Sequence, residues 1–183
     1  MNIDNNGKLL GNALAAMKEY EEAAKCYSET LRLDPKHRDA LNNKGKVLVL
    51  LKQFDAAMNC FDESLKIDPN FLFSLQNKAE CLRKMGRYEE GMKICQVILR
   101  QDPTNLLVLK EAGIMMIYSG NAERAAMLFN EVLSSVPSNA ELLFLKGVAH
   151  EKMNQQSVAE DYFNKAKAID STIGELRSEL PSH

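Results

Sequence analysis

Residues able to do chemistry are few in this chain, and their spacing does not assemble them. The three histidines, His37, His150 and His183, stand far apart from one another and from any cysteine at a metal-ligand interval. His150-Glu151 opens like a zinc-binding HExxH, but position 154 is Asn, so the second ligand is missing. No glycine-rich phosphate loop and no nucleophile elbow occurs. The acidic pairs Glu21-Glu22 and Glu89-Glu90 open helical stretches, where negative charge suits the helix dipole and needs no other explanation. A basic run, Arg83, Lys84, Arg87 and Lys93, reads as a solvated face, with an acidic partner segment as the sharper alternative. The expectation is a protein with no catalytic residue, no metal site and no cofactor.

The four cysteines, Cys26, Cys60, Cys81 and Cys95, follow no CxxC spacing. Packed helices lie about 8–10 Å apart, whereas a disulfide needs Cα atoms within about 7 Å. Free thiols in a reducing compartment follow, and with them a cytoplasmic location. A net charge of −2 argues against a general nucleic-acid or anionic-membrane binder. No apolar run approaches the roughly 20 residues that cross a bilayer, and MNIDNNGK does not read as a secretory leader.

The elements that must position any site are legible from the prolines. Pro35, Pro69, Pro103 and Pro137 are each 34 residues from the next, and the chain has only five prolines. The stretch from Ala40 to Pro69 reads as two amphipathic helices broken near Lys52-Gln53. A fixed period made of paired helices is the mark of a helical solenoid. On this ruler the chain forms one domain, 1–183, of five units, about 4–37, 38–71, 72–105, 106–139 and 140–173, with a cap over 174–183. Small residues recur in the first helices (Gly11, Gly45, Ala79, Gly113, Gly147) and in the second (Ala23, Ala57, Gly91, Ala125, Ala159). A large side chain follows four residues later at Tyr27, Phe61, Phe129 and Phe163, with Cys95 as the exception. Small against large is the alternation that a dense core requires. The last segment repeats apolar residues at Ile173, Leu176 and Leu180, the stripe of a short capping helix.

These columns resemble the tetratricopeptide repeat: Leu10-Gly11, Tyr20, Ala23, Tyr27 and Pro35 carry the pattern in the first unit, and Phe54, Ala57, Phe61 and Pro69 in the second. The pattern decays towards the C-terminus, with Ala122 and Gln156 at the place of Tyr20 and Ser171 at the place of the proline. The resemblance implies an all-α, right-handed solenoid of antiparallel helix pairs. It also implies a protein-interaction scaffold whose first helices line a groove that receives a peptide or amphipathic helix.

Candidate partner-binding residues follow from that phase. Lys8, Asn12, Asn43 and Asn77 lie on first helices, and Asn43 and Asn77, one period apart, would form an amide ladder able to hold an extended backbone. Some members of the family clamp the C-terminal carboxylate of heat-shock chaperones with five polar residues. Lys8, Asn12 and Asn43 match the first three places, but Phe73 and Asn77 replace two cations, which weakens that reading. Further along, the stretch NLLVLKEAGIMMIYSG is apolar on more than one face. Leu107, Ile114, Ile117 and Tyr118, joined by Phe73, Phe144, Leu145 and Val148, are then expected to face the groove. A helix apolar all round must be covered on both sides. The cover is a partner helix, a second copy of this chain or a larger protein's segment, unless neighbouring units hide the face internally. Homotypic assembly and an accessory array of a larger enzyme or chaperone-associated protein are the alternative functions.

Overall fold

The structure, a computed structural model, describes residues 3–180, with side chains from residue 6 onward except that of residue 179. Among the described residues the chain is all helix and turn: α1 (Ile3–Ala16), α2 (Tyr20–Leu33), α3 (Arg38–Leu50), α4 (Phe54–Ile67), α5 (Leu72–Lys84), α6 (Tyr88–Gln101), α7 (Leu106–Tyr118), α8 (Ala122–Ser135), α9 (Ala140–Lys152) and α10 (Gln156–Ile169), then a 3-10 segment (Ile173–Glu179). The chain divides into two compact units, one up to Cys81 and one from Leu82, with the boundary inside α5. The pairs α1/α2 and α3/α4 pack together in the first unit, as do α7/α8 and α9/α10 in the second.

Both turns of the repeat are written in the sequence at the 34-residue interval. Between the two helices of a unit, one residue takes a left-handed backbone: Lys18, Lys52, Gly86, Gly120 and Asn154, with φ between 59° and 86°. Each stands in the same closing bond, from the N–H of the next residue to the carbonyl five residues before it: Glu19 to Leu14, Gln53 to Leu48, Arg87 to Leu82, Asn121 to Met116 and Gln155 to His150, at 2.8–3.0 Å. This geometry satisfies carbonyls that a helix end would otherwise leave unpaired. Between units, the Asp34, Asp68, Asp102 and Asp170 carboxylates accept the N–H of Lys36, Asn70, Thr104 and Thr172. At the first three of these turns the proline that follows the aspartate prevents the helix from running on. Val136 occupies the same place before Pro137 but has no side-chain acceptor to offer.

The small-against-large columns meet as read from the sequence. A Cβ added to Gly11 would come within 2.7 Å of Tyr27, one at Gly45 within 2.5 Å of Phe61, one at Gly113 within 2.3 Å of Phe129 and one at Gly147 within 2.6 Å of Phe163. Tyr27, Phe61 and Phe129 are buried, and α1, α3, α7 and α9 each lie directly on an aromatic ring of the helix that follows. The C-terminal segment is a 3-10 helix rather than an α-helix, and Ile173, Leu176 and Leu180 pack on the core of the second unit. The cap's last residues, 181–183, including His183, lie outside the described residues.

Candidate functional site

In the first unit, the amides form a continuous hydrogen-bonded chain. Tyr27 on α2 donates its hydroxyl proton to Asn12 Oδ1 on α1 at 2.7 Å. Burial, and behind it Cys26, pushes the Tyr27 phenol above its ordinary value, which keeps that proton in place. Asn43 Nδ2 on α3 donates to the same Asn12 oxygen at 3.0 Å, and Asn42 Nδ2 donates to Asn43 Oδ1 at 3.1 Å. Asn77 Nδ2 on α5 then donates to Asn42 Oδ1 at 2.9 Å, and Ser74 Oγ donates to it at 3.1 Å. Ser74 also meets Ser64 of α4 at 2.7 Å. The rungs Asn43 and Asn77 are therefore joined through the buried Asn42 rather than facing a ligand independently.

This chain fixes which atoms remain for a partner. Asn12 Oδ1 already accepts two bonds, so its amide nitrogen, with two N–H donors, is turned outward from the network. Among the described residues it has no partner, and Asn12 is exposed. Asn77, half-buried, has committed a donor and keeps its oxygen as an acceptor. Beside Asn12 lies a cleft of about 420 Å3 lined by Tyr20, Tyr27, Asn43, Lys46, Val47 and Leu50, among others. Lys46 is exposed and makes no ion pair with a described residue. Lys8, on α1, is half-buried. Phe73, one helical turn before Asn77 on α5, is 62% exposed and meets Phe71 edge-on at 5.6 Å.

The apolar residues expected in the groove are placed otherwise. Ile114, Ile117, Phe144, Leu145 and Val148 are buried, none above 5% exposed, in one cluster with Phe129, Leu133 and Leu142. Phe144 packs against Phe163 with the rings tilted by 44°, 5.1 Å between ring centroids. The physical reason is coverage from within. Helix α7 packs against α6, α8 and α9, while α9 packs against α7, α8, α10 and the 3-10 cap, so the faces that carry these buried residues are covered by neighbouring helices. Tyr118 is half-buried, 6.4 Å from Tyr88 with Lys152 5.0 Å over its ring. Burial, above all, raises its phenol's pKa. Leu107 alone of the second unit's set is well exposed, at 48%.

The basic run is also not a free cationic face. Arg83 is buried and pairs with Glu111 at 2.6 Å, and Arg87 pairs with Glu90. All four cysteines are free, with Cys81 and Cys95 buried. His37 caps α3, accepting the Ala40 N–H at its Nδ1, and His150 stacks on Tyr162. The sequence reading missed Tyr27, Ser64 and Ser74 as members of the polar chain. A signal existed: Ser74 falls in a column that the buried Ala40, Val108 and Leu142 fill in three of the other four units, where a hydroxyl needs a partner.

Comparison with known proteins places this geometry. Sequence models described as tetratricopeptide repeat match residues 8–70 and 117–172, and a second one matches 60–93. No curated protein matches the chain significantly. Among solved structures, MamA from Desulfovibrio magneticus RS-1 superposes with a TM-score of 0.80 at 16% identity, over 92% of this chain and 96% of that one. TTC0263, a thermophilic protein of this repeat class from Thermus thermophilus, gives 0.76 at 16% identity, over 96% of both chains. YrrB, described as a protein of this repeat class with an unusual peptide-binding site, gives 0.70 at 19% identity, over 95% of this chain and 91% of that one. At these identities the likeness is one of fold, a helical-repeat solenoid whose general use is as a scaffold for protein interaction. No described helix is long and apolar enough to cross a membrane.

Proposed function

Since the chain belongs to the tetratricopeptide-repeat family, we propose that it is a non-enzymatic scaffold that captures a peptide of a partner protein in the groove of its first unit. The observation that carries this is the amide chain running from Tyr27 through Asn12, Asn43 and Asn42 to Asn77. It locks four side-chain amides in fixed orientations, so that the outward nitrogen of Asn12 and the oxygen of Asn77 are preorganised for the carbonyl and N–H of an extended backbone. Preorganised donors and acceptors lower the ordering cost of binding. Phe73 adds an exposed ring one turn from Asn77 for an apolar side chain, and Lys46 adds a cation beside Asn12 at the cleft.

The apolar residues of the second unit leave this reading. Ile114, Ile117, Phe144, Leu145 and Val148 are core residues and hold the second unit together. Their burial also removes the apolar helix face through which homotypic assembly was expected, so the groove residues that remain from the sequence reading are mostly those of the first unit.

The test is a phage selection of random peptides on the protein, followed by titration of the selected peptides against Asn12→Ala and Phe73→Ser. Both side chains are exposed, but Asn12→Ala also removes the acceptor of Tyr27 and Asn43, so thermal unfolding is measured on both variants, and a binding loss counts only where the variant is folded at the assay temperature. Each change is expected to weaken binding about tenfold, the loss of one good hydrogen bond or one apolar anchor. Peptides that bind both variants as well as the parent would refute the assignment.

A further inference from the structure

In the second unit a buried cation lines a cleft without a counter-ion. Lys146 of α9 is 7% exposed. Its ammonium donates one bond, to Asn130 Oδ1 of α8 at 2.8 Å, and lies 4.4 Å from the centre of the Tyr162 ring of α10. No described carboxylate reaches ion-pair distance of it. A charge so placed is normally paired, and an ammonium has three donors to satisfy.

The repeat supplies its own control. Lys78 stands two periods before Lys146, and Asp62 two periods before Asn130. There the lysine of the first helix meets a carboxylate, Lys78 Nζ to Asp62 Oδ1, at 2.5 Å. In the later copy an amide replaces that carboxylate, and the lysine keeps one neutral acceptor and the face of a ring.

Above Lys146 the space is open. A cleft of about 720 Å3 lies between α8 and α10 over α9, its lining including Met127, His150, Met153 and Val158 beside Lys146 and Tyr162. Met127 is 67% and Val158 43% exposed. Glu123 and Glu131 also line it, both exposed and both on α8. A small anion would meet Lys146 but leave the apolar walls and the two glutamates unused. A peptide carrying one acidic residue between apolar ones, with lysine or arginine at its flanks, complements every part.

We propose that the cleft over Lys146 is a second docking site, which takes an acidic side chain of a partner's peptide segment as the counter-ion that Asn130 does not provide. Residues 122–169 supply the whole site, and it shares none with the amide chain of the first unit. The carboxylate sits against the two unspent donors of Lys146, the neighbouring apolar side chains lie along Met127 and Val158, and basic flanks meet Glu123 and Glu131.

The experiment is an array of random dodecapeptides with a central glutamate, each printed beside its glutamine twin and probed with the full chain. Asn130→Asp gives Lys146 an internal carboxylate, as Asp62 does for Lys78, and Lys146→Gln removes the cation. Circular dichroism melting confirms that both variants are folded, Asn130→Asp being the gentler change. A set of peptides should bind the parent protein at least tenfold better as glutamate than as glutamine, and both variants should lose that preference. Peptides held in the first unit cancel, because neither variant touches it. The proposal is overturned if the parent makes no such distinction, or if Asn130→Asp retains it.

Discussion

Replacing Gly113 with Ala sets two known effects against each other, and the geometry decides the winner. Alanine is favoured over glycine inside a helix by about 0.5–1 kcal/mol, so an uncrowded site would be stabilised. At Gly113 the new Cβ would fall 2.3 Å from Phe129 Cζ and 2.4 Å from its Cε1. Phe129 is fully buried in an apolar cluster with Ile114, Leu133 and Leu142, so moving its ring displaces packed neighbours. Overpacking of this kind costs about 1–3 kcal/mol. The net expectation is a loss of about 1–2 kcal/mol. The same two columns hold Ala79 and Cys95 in the third repeat, a larger residue followed by a smaller one. Phe129→Cys alone should cost about 3 kcal/mol through the cavity it leaves. The double change Gly113→Ala/Phe129→Cys should cost less than the two single changes summed, by about 1 kcal/mol or more, because the new methyl group occupies part of that cavity. Urea unfolding followed by circular dichroism measures all four corners of the cycle. A stabilised Gly113→Ala, or additivity within about 0.5 kcal/mol, would refute the direct contact between glycine and ring on which the account of helix pairing stands.

Two further outcomes are expected. Lys52→Gly should raise stability by about 0.5 kcal/mol and Gly120→Ala lower it by about 1 kcal/mol, because both positions hold a left-handed backbone that costs a side chain about that much; thermal melts of the two variants should move in opposite directions. Cys95, whose thiol burial (and then Glu111) pushes up to about 12, should resist iodoacetamide at pH 8 in the folded protein and react once urea unfolds it, as mass spectrometry of the labelled peptide would show. Below its folded pKa the sulfur stays a thiol, so labelling of native Cys95 at the rate of a free thiol would contradict its buried placement.

Much of the architecture was legible because the repeat restates each decision five times. One Pro69 is a turn, but Pro35, Pro69, Pro103 and Pro137 together are a period, and Gly45 opposite Phe61 gains meaning from Gly11, Gly113 and Gly147. The amides were legible as groove candidates for the same reason, yet their connection was not. Asn42 is buried, and only the fold shows that it joins Asn43 to Asn77. The apolar half was misread on a real ambiguity. A helix such as α7, apolar on every side, states that all its faces are covered, but not by what, and here α6, α8 and α9 do the covering. Lys146 was passed over because the charge matters only when its column is read beside that of Asn130.

The polar thread of the first unit also has a mechanical meaning. Around Tyr27 the buried companions are Ala23 and Val47, while Leu14, Tyr20 and Leu51 beside them stay partly exposed, and side-chain amides add stitches between α1, α3 and α5. Water can compete for such stitches where it cannot compete for the grease of the second unit. The N-terminal helices should then breathe more readily, and a bound strand that excludes water from Asn12 would act as a splint, tightening the end of the molecule that it grips.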